Sequence, residues 1–330
     1  MKSSKFQQGF NLIEWMVTIA IALFIIAGMT SFFVASRTSN IATNESAELQ
    51  ETGRIALQLL SQDLRQVGFW GFSTRHILTN QLSVKNQQVR SPASIPNNRD
   101  CIDVNGVGSF PKDDIRMNDI WSFEVNTPLQ MGCIDDQDSS TKLAQETDAI
   151  AIRRARGQQA LAPLTPQYHI ALTGSEAYIF AAPTEVLPIK PQWQGAHVYQ
   201  YIHNVYYIDY DVASNVPRLR RKMLNIDAGN VGEMKLQPPL LEGVENMQIE
   251  YIVRDSNGHT SYSEFVAGSN LENVIGARVW VLIRAEQPKK SPGEKDISYQ
   301  MAGKQITLKD DYRRLLMSTV VSFSNPIWLG

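Results

Sequence analysis

Hydrophobic positions run without interruption near the start of the chain. From Trp15 through Ser36, 22 residues carry no formal charge, and the stretch reads WMVTIAIALFIIAGMTSFFVAS. At about 1.5 Å rise per residue, a helix of that length spans a bilayer core of about 30 Å. The pattern then changes. Over residues 37–67, Leu49, Ala56, Leu60, Leu64 and Val67 recur at helical spacing, with Gly53 on the same stripe. Glu48, Gln50, Glu51, Arg54, Gln62 and Arg65 cover much of the remainder. That spacing predicts an amphipathic helix against a core. No proline precedes Pro92, so no helical N–H is lost here. One long helix is expected from about Phe10 to Val67, its watery half packed on a sheet and its apolar half projecting. The segment Gly68–Phe72 ends it and supplies aromatic residues for the core.

Alternation replaces helical spacing further on. Residues 73–148 are polar and turn-rich and read as a loop-rich insertion with short strands such as Ile120–Val125. Strand-like runs rich in Val, Ile and Tyr follow at Ala149–Arg153, Ala177–Ala181, Val198–Asp209, Arg218–Met223, Met247–Arg254, Val274–Arg284 and Tyr312–Ser322. Asp255-Ser256-Asn257-Gly258 reads as a turn leading into a further short strand. One long helix followed by antiparallel strands predicts an α+β fold, with residues 68–330 as a β-rich head.

Composition narrows the function classes. Gly (20) and Pro (15) are too few among 330 residues for a collagenous or Pro/Gly-rich disordered chain. A net charge of −2 gives no overall basic signal, so a nucleic-acid partner is not expected. The local basic runs Arg153-Arg154-x-Arg156 and Arg218-x-Arg220-Arg221-Lys222 read as solvated strand ends. The five histidines are scattered, no nucleotide-binding, HExxH or GxSxG signature occurs, and no enzyme activity or cofactor is expected. Calcium stays open as a ligand. Asp103-x-Asn105-Gly106, Asp113-Asp114, Asp135-Asp136-x-Asp138 and Asp255-x-Asn257-Gly258 are acidic turns without the full twelve-residue loop pattern. Cys101 and Cys133 are the two cysteines. Outside the cytoplasm they would form a disulfide closing a 33-residue loop. Such closure is worth roughly 3–4 kcal/mol in the chain-entropy model; two buried thiols are the alternative.

The amino terminus carries more. A basic MKSSK precedes the apolar run, and Glu14 stands at its mouth. A lone carboxylate there is costly at depth in lipid, so it needs a partner. The string Gly9-Phe10-Asn11-Leu12-Ile13-Glu14, followed by the apolar run, resembles the type III signal of the class IV pilins. The resemblance implies that a prepilin peptidase cleaves after Gly9 and methylates the new amino terminus at Phe10. It also implies that Glu14 meets the terminal amine of a neighbouring subunit during filament assembly. A carboxylate and an ammonium at close range offset each other's burial. Asn11 stands where the family usually has Thr or Ser, and Trp15 where it usually has Leu. Loss of Lys2 and Lys5 with the leader takes 31 basic side chains to 29 against 33 acidic ones, a formal charge of −4.

The body is similar to the PilW-like group of minor pilins over most of its length. Matching segments are Glu51–Leu57 through Arg65–Gly71, Asp148–Ala155, Val205–Ile208, Leu219–Arg221, Leu241–Tyr251, Ala277–Arg284 and Tyr312–Arg314. The extreme end departs, with Ser324-Asn325 followed by Pro326–Gly330. The resemblance implies a pilin-like α+β fold: a cleaved leader 1–9, a transmembrane and filament-core helix 10–36, its amphipathic continuation 37–67, and an enlarged loop-rich head. It implies a minor pilin that takes part in starting type IV pilus assembly and in the tip complex. Such a chain is held in the inner membrane with its body in the periplasm, then carried to the pilus tip. Its partners would be prepilin peptidase, other minor pilins, the major pilin, the inner-membrane assembly platform and a tip adhesin. Twitching motility and adhesion would follow. The competing assignments are a type II secretion minor pseudopilin of the J-like tip class, and a tip adhesin or DNA-uptake minor pilin.

Overall fold

The computed structural model describes residues 11–71, 119–126, 132–134, 139–160, 167–173, 177–182, 194–226, 232–264, 273–288 and 296–324. Among them are one long helix, α1 (Leu12–Leu64, 53 residues), and a β-rich head. The chain divides into two units, Met1–Glu48 and Leu49–Gly330, and the boundary falls inside α1.

The helix starts where the Asn11 carbonyl accepts the Glu14 and Trp15 N–H groups at 3.0 and 3.2 Å. With no proline to interrupt it, it runs past Arg37 unbroken. Four threonine hydroxyls need partners on this apolar surface and take them from the turn before. Thr18 donates to the Glu14 carbonyl, Thr30 to Ile26, Thr38 to Val34 and Thr43 to Ser39, at 2.6–2.9 Å. The last turn tightens, with Gln66 and Val67 N–H donating to Asp63 and Leu64 carbonyls at 3.1 Å each. Gly68 then takes a left-handed conformation at φ 77°, which ends the helix.

The described part of the head holds two sheets and a hairpin. The first contains β1 (Ile120–Glu124), β2 (Thr141–Leu143), β3 (Asp148–Gln159), β4 (Gln167–Leu172), β5 (Ala177–Ala182), β6 (His197–Asp211), β7 (Pro217–Ile226), β8 (Gly232–Leu236) and β9 (Leu241–Glu242). The 15-residue β6 is its spine. One edge of β6 pairs with β3 and β2, the other with β4 and β7, all antiparallel. The second sheet has the order β11-β10-β12-β15, built from β10 (Val244–Arg254), β11 (Thr260–Ser263), β12 (Val274–Pro288) and β15 (Tyr312–Ser322). The hairpin is β13 (Ile297–Met301) with β14 (Lys304–Leu308).

Burial explains the layering. Leu49, Ala56, Leu57, Leu60, Leu64 and Val67 form one core with residues of both sheets, among them Ile150, Ile152, Tyr206, Ile208, Met247, Val279 and Val281. Each fully buried leucine contributes roughly 2 kcal/mol. Alternate residues of β3 and β6 point the other way. Ala149, Ala151, Val205 and Tyr207 meet Phe123, Val125, Cys133 and Ile134 in a second cluster. The first sheet is therefore buried on both faces along its spine, which is why β6 reads as an almost unbroken apolar and aromatic run. Gly53 allows α1 to lie close on the second sheet. A Cβ there would fall 2.4 Å from Met317 Sδ and 3.3 Å from Ile283 Cγ1. Trp70 is buried and stacks on Tyr201 at 6.2 Å, and Phe69 packs partly buried against the same cluster, so these two aromatics serve the core as expected; Phe72 lies outside the described residues.

The two sheets meet where residues 146–148 run beside the start of β10. The Thr147 hydroxyl donates to the Met247 carbonyl at 3.1 Å and accepts the Met247 N–H at 3.0 Å. The Glu146 carbonyl accepts from the Asn246 and Gln248 side chains. Asp148 Oδ2 accepts the Ile249 N–H at 2.7 Å.

The expected strands are present, and several run longer. The run expected at Ala149–Arg153 extends from Asp148 to Gln159, and the one at Val274–Arg284 extends to Pro288. Strands β2, β4, β8 and β9 and the β13–β14 hairpin are not among the expected strands; each is short, two to six residues. Most of the expected loop-rich insertion lies outside the described residues.

Candidate functional site

The first unit presents an apolar surface. Leu12, Ile13, Trp15, Met16, Phe24, Ile26, Met29, Phe32 and Phe33 each leave more than half of their surface exposed, with Phe24 at 84%. Free energy on the order of 25 cal/mol per Å² of apolar surface drives such a face out of water. This is the one helix among the described residues that is long and apolar enough to cross a membrane. Glu14 lies in its first turn, exposed between Ile13 and Trp15, where the helix dipole favours a negative charge. Gly9 and Phe10, expected to be cleaved and methylated, lie outside the described residues.

The second unit holds its part of the helix by polar contacts as well as apolar ones. Asp63 lies on the buried face, at 5% exposure, one turn after Leu60. Its Oδ1 accepts from Arg154 Nε on β3 at 2.6 Å. Its Oδ2 accepts from Asn204 Nδ2 at 2.7 Å and from the Tyr206 hydroxyl at 2.8 Å, both on β6. Burial, and then the nearby Asp63 carboxylate, push the Tyr206 hydroxyl far above the usual tyrosine range, so it stays a donor. Three donors from two strands thus fix the last turn of α1 in rotation as well as height. Beside them lies a cleft of about 160 Å³ that includes Gln62, Gln66 and Arg221 in its walls.

A second polar knot joins the ends of the second sheet. Arg314 pairs with Glu245 and Asp310, Arg284 also reaches Glu245, and the Arg284 guanidinium lies 4.4 Å from the centre of the Tyr312 ring. The Asp310 carboxyl is held below its ordinary range chiefly by its hydrogen bonds from Arg314. Burial pushes the Tyr210 hydroxyl up to about 12.

The basic runs are corrected by these contacts. They were expected to be solvated strand ends. Arg153 is instead buried, Arg154 is bound by Asp63, Arg218 and Arg220 pair with Asp209, and Lys222 donates to the Cys133 carbonyl. Asp209 lies within β6 near its end and faces Arg218 across the β6–β7 ladder, which neutralises the cluster in place. Only Arg156 of the first run stays exposed, bonded to Gln200.

The acidic turns divide. Those at 103–106, 113–114 and 135–138 lie outside the described residues. At Asp255 the carboxylate accepts the Asn257 and His259 N–H groups at 2.9 and 2.8 Å, and Gly258 has φ 85°. Its oxygens serve a turn. Among the described residues no three His, Cys, Asp or Glu side chains lie together as a metal could use them. Cys133 is buried and not free, while Cys101 lies outside the described residues.

Asp63 and Asn204 were not singled out from the sequence. The signal was present for Asp63: it is an acid on the apolar stripe, three residues after Leu60 and next to Leu64. Nothing local marks Asn204, whose partner lies 141 residues away.

Comparison with known families adds one finding. Residues 205–325, from within β6 to just past β15, match the family model PilW, type IV pilus-assembly protein W. No curated protein and no solved structure matches the chain.

Proposed function

We propose, for a chain whose head matches the PilW-like type IV pilus family, that it is a minor pilin that helps start pilus assembly and stays in the tip complex. The observation that carries this is the helix. It leaves a long apolar face exposed with a single carboxylate, Glu14, in its first turn, and is clamped to a head by its last four turns. Such a helix first sits in the inner membrane and then against other subunits' helices, exchanging lipid contacts for protein ones. Prepilin peptidase cuts after Gly9 and methylates Phe10. Glu14 then meets the terminal amine of the adjacent subunit, which removes two unpaired charges from an apolar environment at once. The head faces the periplasm before assembly, where Cys101 and Cys133 form a disulfide. It works through protein contacts, without enzyme activity or a cofactor. Other minor pilins and the major pilin are the partners.

Capture of the full-length protein from detergent-solubilised cells, with intact-mass measurement of bait and partners, tests the reading. Expected are a bait lacking nine residues and carrying one methyl group, together with pilus minor pilins. A bait that keeps Met1 would overturn the processing step. Partners drawn from a type II secretion apparatus would assign the chain to pseudopilins instead.

A further inference from the structure

Arg154, Arg218 and Arg220 of the first sheet each meet a carboxylate, but Arg221 meets none among the described residues. It lies on β7 directly across the ladder from Tyr206, so the two side chains leave the sheet on one face, beneath α1. Its guanidinium bonds to the Tyr206 hydroxyl, a neutral partner. Its Nε–H is shut off from water and meets no acceptor. The nearby acid is already engaged: Asp63 Oδ1 takes Arg154, and Oδ2 takes Asn204 and Tyr206. Asp63 and Arg154 cancel, and Arg221 leaves one positive charge in excess. A guanidinium partly withdrawn from water calls for a counter-charge, and its planar fork matches a carboxylate.

Arg221 stands in the wall of the cleft of about 160 Å³ beside Asp63. Gln62 and Gln66, exposed on the last turns of α1, share that wall with Leu59 and Leu240. Gln66 Nε2 donates to the Gln62 carbonyl at 3.3 Å, which leaves its second hydrogen for another acceptor. We propose that this cleft receives the carboxylate of an Asp or Glu side chain on a neighbouring subunit, held by Arg221 with the two glutamine amides beside it. That the acid belongs to a subunit rests on the assembly role proposed above; that it is an acid rests on the charge and size of the cleft alone.

Other occupants fit less well. The volume is below the roughly 300–1,000 Å³ of pockets that enclose small organic ligands, but it admits the head of one side chain. The walls also carry acceptors: the Asp63 carboxylate and Asn204 Oδ1, which is buried without a donor. These oppose a doubly charged phosphate more than a single carboxylate. The leucines suit the apolar stem of Asp or Glu, which a free inorganic anion lacks. A carboxylate at Arg221 makes a charge-assisted pair in a partly dry site, and losing one member of such a pair weakens docking strongly.

Full-length protein carrying the photocrosslinker p-benzoylphenylalanine in place of Gln58, which is exposed one turn before Gln62, is irradiated in cells. The crosslinked segment is then mapped by mass spectrometry. Expected is a segment of another protein chain with an Asp or Glu beside the crosslinked residue. Arg221→Gln, which keeps an amide donor for Tyr206, should lower the crosslink yield about tenfold or more. Neutralising the mapped acid should do the same, and the two changes together should add nothing further. The urea midpoint of Arg221→Gln should stay near that of the wild type, because no ion pair within the chain is lost. An undiminished crosslink in Arg221→Gln, additive losses in the pair, a segment without an acid, or crosslinks to nucleic acid or lipid alone would each overturn the proposal. So would a fall in urea midpoint as large as that of Asp63→Asn, which would make Arg221 an internal support. A crosslinked chain from a secretion apparatus would change the assembly assignment and still support the acid-binding cleft.

Discussion

Replacement of Asp63 by Asn probes how the head grips its helix. The side chain is nearly isosteric, so packing around Leu60 and Leu64 is retained and the electrostatics alone change. The carboxylate accepts three hydrogen bonds, from Arg154, Asn204 and Tyr206. An amide has one acceptor oxygen and a donor NH₂, so at least one of the three partners meets a donor instead. Arg154 is the costly one to abandon, because only 12% of its side chain is exposed. Removing one partner of a buried ion pair costs about 3–5 kcal/mol, and a neutral hydrogen bond lost in the interior adds about 1–3 kcal/mol. Some relaxation toward the neighbouring cleft lowers the sum, so about 3–4 kcal/mol is expected for the single change. Urea unfolding of the full-length protein in a mild nonionic detergent, followed by the fluorescence of buried Trp70 and its neighbours, reads this out. The midpoint should fall at unchanged slope. Arg154→Met alone should cost less than Asp63→Asn alone, because Asn204 and Tyr206 still serve the carboxylate. The double variant should recover about 1–3 kcal/mol relative to the sum of the singles. A loss below about 0.5 kcal/mol for Asp63→Asn, the size of an ordinary surface change, would refute the clamp. Strict additivity of the pair would do the same.

Other perturbations test other parts of the account. Gly53→Ala gains up to about 1 kcal/mol of helix propensity, but its Cβ displaces the flexible Met317 side chain and presses on Ile283, so it should be near neutral; the two further methyl groups of Gly53→Val deepen the same overlap and should cost about 1–3 kcal/mol, both read as shifts in thermal midpoint. Burial holds the His203 ring well below the ordinary histidine range. Below about pH 6.5 the unfolded chain takes up a proton there that the fold refuses, so stability should drain as pH falls from 7 to 5. A His203→Gln protein whose stability falls just as steeply over that window would remove this histidine from the explanation.

The helix was legible because its signals are local. An uncharged run of 22 residues, a stripe at helical spacing and the absence of proline all lie within the segment they describe. The spine strand β6 was equally visible, since burial on both faces makes it a run dominated by Val, Tyr and Ile. The β13–β14 hairpin was not visible, because only its turn is fully buried and its strands are short, five residues each, and rich in polar residues. The basic runs misled for a related reason. Charge in sequence looks solvated until the opposing acid is placed, and Asp63 and Asp209 are placed only by the pairing of α1, β3, β6 and β7. The seam at Asp148 depends on Ile249, 101 residues on. No spacing rule reaches so far.

The role of the exposed helix is tested most directly by the amount of this protein in pili sheared from cells, compared between the wild type and Glu14→Ala. The account predicts that the variant inserts in the inner membrane at normal levels, is depleted at least severalfold from the sheared fraction, and leaves the cells with fewer pili. Wild-type incorporation of the Glu14→Ala protein, with pilus number unchanged, would contradict it.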